Sequence, residues 1–122
     1  MTNRVDNNTI LVSQMEMSAK GILSDVVVVR NIRESYVLDA NGKRTDQIDC
    51  IRYDCVDPNT FDTFTAKVLT SRPVISKEAL EASDGPVYIE IPVEETIIRP
   101  YSIEYGRVKV SIIAPYVKLA GK

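Results

Sequence analysis

The chain has 122 residues and a mass of 13.6 kDa, enough for one core and not two. It contains no tryptophan and no histidine, and the missing histidine removes the commonest general base and neutral metal ligand. Fifteen basic residues against seventeen acidic give a net charge of −2, which excludes a uniformly basic nucleic-acid binder but not a local basic face.

In chain order, Met1–Asn8 is polar and lacks the apolar stretch of a signal peptide. No apolar run anywhere approaches the roughly 20 residues of a membrane span. The expectation is a cytoplasmic protein with no membrane partner. Residues 1–25 read as an N-terminal arm, partly disordered. Met1–Thr9 is frayed, Ile10–Met17 forms a short strand or helix, and Gly21 breaks it. From Val26 the signals are almost wholly β, so 26–122 reads as the folded domain. A first strand opens on four valines and runs to Leu38, and Asp39-Ala40-Asn41-Gly42 is a turn. A second strand spans about Gln47 to Val56. Its alternation sets Ile48, Cys50, Arg52 and Asp54 on one face, with Asp49, Ile51, Tyr53 and Cys55 on the other. After the turn at Asp57-Pro58-Asn59, a third strand covers Phe61 to Thr70 and completes an antiparallel meander.

The period then changes. Ser76 is a suitable N-cap for a two-turn helix over Lys77–Ala82, and Gly85 and Pro86 stop it. A fourth strand, Val87 to Val93, is followed by a loop carrying Pro100 and a last strand from Tyr105 to Leu119. Pro115 marks an edge or bulge in that strand. This order predicts an all-β fold, a five-stranded OB-like Greek-key barrel with one short helix between strands three and four, with an SH3-like barrel or a split sheet with one helix as the competitor.

Cys50 and Cys55 are the only cysteines. Five positions apart on one strand they lie on opposite faces and about 16 Å from each other, too far for a disulfide. They read as reduced packing residues, and two sulfurs without histidine make no zinc site. The aspartates at 46, 49, 54 and 57 read as a solvated, ion-paired face beside Arg44 and Arg52. No phosphate-cradling or nucleophile motif is present, and no carboxylate spacing singles out an acid/base pair. The chain reads as a non-enzyme without cofactor, metal or small-molecule substrate.

Charge distribution points to binding. Residues 76–98 hold one lysine against six acids, a net of −5, while residues 99–122 hold five basic residues against Glu104, a net of +4. Aromatic residues sit beside the cations: Tyr53 follows Arg52, Phe61 shares a strand with Lys67, and Tyr101 lies two positions from Arg99. Bases stack on aromatic faces while Lys and Arg neutralise phosphates, so this pairing suits single-stranded nucleic acid, DNA or RNA. The same tyrosines serve equally as core filler or cross-strand pairs. Phe64 shares the parity of Ala66 and Val68 and reads as core, whereas Arg30 and Arg33 read as solvated strand positions. Candidate binding residues are Arg52, Tyr53, Phe61 and Lys67 on an open face. Lys43, Arg44, Arg99, Tyr101 and Arg107 form its rim.

Tyr105-Gly106-Arg107-Val108-Lys109-Val110-Ser111, with Tyr116-Val117-Lys118-Leu119-Ala120-Gly121-Lys122, carries a resemblance. This ending resembles the C-terminal strand of the small single-stranded-DNA-binding proteins of filamentous phages, and of related plasmid and conjugative-element proteins. The resemblance, extended back to Val26, implies an OB-fold that coats single strands without sequence preference, as a dimer or along a filament. It places the protein in replication or transfer of a mobile element. The rival reading is a structural or assembly protein, such as a phage component or an oligomeric β-barrel adaptor. It would join copies of itself through strand edges and the apolar N-terminal segment.

Overall fold

The computed structural model describes residues 16–120, and strands dominate it. They are β1 (Met17–Ser18), β2 (Val26–Leu38), β3 (Arg44–Val56), β4 (Thr63–Val68), β5 (Val87–Glu90), β6 (Ile97–Glu104), β7 (Arg107–Ala114) and β8 (Lys118–Leu119). One helix, α1 (Lys77–Ala82), lies between β4 and β5. The all-β class stands. The ladder runs β1-β6-β7-β4-β3-β2-β5-β8, every pairing antiparallel except the parallel β4–β7. Among the described residues it ends at β1 and β8 rather than closing, an open sheet of eight strands and not a five-stranded ring. β5 falls within the expected fourth strand, β6 forms where the sequence reading expects a loop carrying Pro100, and Pro115, expected as an edge or bulge, interrupts the last strand to give β7 and β8.

Two bulges re-aim side chains. In β2, Val29 faces Cys55 and Asn31 faces Asp54, so Arg30 has no partner. The extra residue inverts the alternation: Val27 and Val29 point inward before it, Ile32 after it. Arg33 is thereby turned outward, directly opposite Arg52. The same bend lets β2 serve β5 with Val26–Val29 and β3 with Val28–Leu38. In β6, Tyr101 is the unpaired residue between Pro100, opposite Val110, and Ser102, opposite Lys109. Pro100 thus lies within a strand, not in the expected loop. Ala19 N–H donates to Thr96 O, which places the even-numbered backbone groups of β6 before the bulge on its outer edge. The missing N–H of Pro100 falls on that edge and costs no ladder bond.

The core is built from inward residues of β2 to β7, among them Val27, Ile51, Tyr53, Ala66, Ile89 and Ile112, with Phe64, Val93 and Leu80 of α1 packed against it. Ser76 caps α1 by accepting from Ala79 N–H at 3.0 Å. The arm expected over residues 1–25 is not an arm throughout. β1 pairs with β6, Ala19 is fully buried, and Leu23 packs on the core. The expectations for Met1–Met15 lie outside the described residues. No helix among those described is long and apolar enough to cross a membrane.

Candidate nucleic-acid interface

Alternation on β3 sends Tyr53 inward and Arg52 outward, so the two cannot share an open face. Tyr53 has no exposure and its hydroxyl accepts from Val74 N–H at 3.0 Å. The expectation that it binds is corrected: it is core. The outward set carries the charge. Arg33 pairs with Arg52 and Arg52 with Lys67, one cation on each of three adjacent strands about 4.8 Å apart. Like charges directly opposite one another repel and oppose folding.

Neutralisation of this row is partial. Asp54 accepts from Arg33 Nη2 at 2.7 Å and from Thr65 Oγ1 at 2.7 Å. Burial pushes its carboxyl up, but the bonds from Thr65, Arg33 and Asn31 and the charge of Arg33 outweigh it and hold Asp54 below the usual carboxylate range. Arg52 spends only Nε, on Ser35 Oγ at 2.9 Å. Among the described residues neither Arg52 nor Lys67 has a carboxylate partner. Beside the row lies a groove of about 610 Å³, lined by Arg33, Arg52 and Lys67, by Thr63, Phe64 and Thr65 of β4, and by Tyr101 and residues 110–113 of the β6–β7 hairpin. It joins fixed positive charge to the ring of Tyr101, 61% exposed, and so can hold a polyanion with flat apolar groups.

The groove therefore brings together Arg52, Lys67 and Tyr101 of the expected set. The others lie elsewhere. Phe61 is not in β4 but in the turn before it, held by its N–H to Asp57 O at 2.7 Å. Lys43 and Arg44 are exposed at the β2–β3 turn, Arg99 is bound to Glu16 at 2.7 Å, and Arg107 opens β7 at the hairpin tip. Two charged or aromatic lining residues fall outside the expected set: Arg33 becomes legible only with the bulge at Arg30, and Phe64 is half-buried and serves both core and groove.

Phe61 at φ 62° and Tyr105 at φ 52° are the non-glycine residues with left-handed backbone among those described. Both are exposed aromatics, where asparagine or glycine would be unstrained. The parallel β4–β7 register, extended backwards, brings their two turns to the same end of the sheet.

Two expectations about polar and sulfur groups need revision or detail. Asp57 is buried rather than part of a solvated face. It accepts from Ser24 N–H at 3.1 Å, Ser24 O–H at 2.8 Å and Asn59 N–H at 2.9 Å, tying the β3–β4 turn to the segment before β2. Burial raises its carboxyl, and these bonds, with one from Thr60 N–H, more than reverse that. Cys50 and Cys55 are buried free thiols, and burial, aided by Asp54, pushes Cys55 up to about 12. No group of three or more Cys, Asp or Glu among the described residues is placed to hold a metal ion.

The chain matches no protein-family model, no curated protein and no solved structure.

Proposed function

We propose that the protein binds single-stranded nucleic acid, DNA foremost, without sequence preference and without catalysing a reaction. The observation that carries this reading is the in-register row Arg33–Arg52–Lys67 beside an aromatic groove. The fold tolerates three like charges side by side, of which Asp54 neutralises only that of Arg33. The strained, exposed aromatics Phe61 and Tyr105 support it, since backbone strain clusters where function outweighs stability. The connectivity of this open sheet also resembles that of an OB-fold. Its elements are the β2–β3–β4 meander, the parallel β4–β7 pair, and broken fourth and fifth strands that pair twice, as β6–β7 and β5–β8. The resemblance of the closing strand to the phage proteins adds replication or transfer of a mobile element as the setting.

Fluorescence anisotropy with a 16-residue dT oligonucleotide tests the reading. Three phosphate contacts give a log–log salt slope of about −2, hence a roughly 20-fold loss of affinity between 50 and 200 mM salt. No binding at 50 mM salt overturns the proposal.

One observation favours a second reading, a self-assembling structural protein. On the β6–β7 hairpin Tyr101, Ile103, Tyr105 and Val108 are all more than half exposed. A defined oligomer in light scattering that dT oligonucleotides leave unchanged, together with absent binding, would favour it.

A further inference from the structure

We infer that a second groove, between β2 and α1, is a base-reading pocket that takes guanine from the bound strand. This inference rests on the proposed single-strand binding and amends one part of it: the main groove takes any base, and the second groove adds a preference for guanine. Among the described residues β2 has no partner beyond Val29 on the side away from β3, and the gap between that edge and α1 encloses about 530 Å³. Arg33 borders both this groove and the main one, so one strand can pass from the first to the second.

The side chains here differ in kind from those of the main groove. The Arg44 guanidinium lies over the Tyr36 ring, 3.9 Å from its centroid, which fixes the plane of an otherwise exposed side chain. A base stacks on such a plane as it does on an aromatic ring. Tyr36 O–H donates to Glu34 Oε1 at 2.8 Å and so orients the carboxylate, leaving Oε2 free to accept. The lining of the main groove includes no carboxylate, and Asp54 beside it is already occupied by Arg33 and Thr65. Guanine alone among the DNA bases presents two adjacent N–H donors, N1 and N2, on its Watson–Crick edge, the pattern a carboxylate accepts as a pair. Lys77, at the rim, adds a cation for the neighbouring phosphate.

The test compares three 16-residue oligonucleotides by anisotropy: all dT, dT with isolated dG at every fourth position, and the same with dA. The isolated guanines cannot form quadruplexes. The dG oligonucleotide should bind roughly tenfold tighter than either of the others. Glu34→Gln, at an exposed position where far-UV circular dichroism verifies the fold, should abolish that difference and leave dT affinity unchanged. Arg44→Ala should weaken the dG oligonucleotide most. Equal affinity for dG and dT overturns the guanine pocket while leaving single-strand binding intact, as does a dA preference equal to that for dG. A dG preference that survives Glu34→Gln overturns it too. Failure of all three to bind at low salt overturns the binding reading itself.

Discussion

Arg52 and Lys67 illustrate how a charged pair can oppose the fold and serve the partner. Lys67→Ala should reduce the salt slope of dT binding by about 0.7, the share of one single-strand phosphate. Its stability should not fall, because a like-charged neighbour of Arg52 has gone. Equilibrium unfolding beside the anisotropy titration checks both. Tyr105 makes the sharper case. Tyr105→Asn suits its left-handed backbone and should raise stability by roughly 0.5–1 kcal/mol while weakening DNA binding. Gains in both, or losses in both, would contradict a stacking role. Tyr53→Phe should do the reverse. It leaves Val74 N–H without its acceptor, costs about 1 kcal/mol, and leaves dT affinity unchanged. Most residue roles were legible from parity alone: Ile51 and Cys55 inward, Arg52 outward, Ser76 as cap. Placing Tyr53 with Arg52 set adjacency in sequence above the two-residue period, which forbids it.

Turns and bulges decide what the strands present, and these were the least legible features. The turn at Asp39–Gly42 and the helix at Lys77–Ala82 follow from local chemistry, an Asx-type acceptor with Gly42 at φ 82° and a Ser N-cap. The bulges at Arg30 and Tyr101 do not. Each is one unpaired residue whose need arises from partner strands distant in sequence, and the one at Arg30 reverses the facing of the residues that follow it up to the next register shift, at Ser35/Tyr36. Pro100 reads as a loop residue until the edge position of β6 is known. Asp57 shows how a turn is pinned. With its carboxyl held below the ordinary range, its contribution to stability is present above that range, near pH 4. It is lost as pH falls through the lowered value. Asp54 acts in the same sense. Thermal unfolding midpoints should therefore drop below about pH 4, and Asp57→Asn should be less stable at neutral pH and lose less on acidification. Equal acid sensitivity in both proteins would contradict this origin.

For the molecule as a whole, net charge says little and its arrangement says much. The −2 is the remainder of an acidic segment around α1 and a basic closing hairpin, with a third set of cations, Arg33, Arg52 and Lys67, aligned across the sheet. Element order gave the all-β class and the meander. β6 was hidden because Pro100 reads as a loop signal, whereas the strand depends on pairing with β7 and an outer-edge position that sequence does not show. The central claim is that the groove over β2, β3, β4 and the β6–β7 hairpin is the nucleic-acid interface. Amide chemical-shift mapping on addition of a short dT oligonucleotide tests it most directly. The largest shifts should fall at Arg33, Arg52, Phe64, Lys67 and Tyr101 and fade as salt rises. Shifts confined to β5, β8 and the exposed face of α1, or none at saturating oligonucleotide, would contradict it.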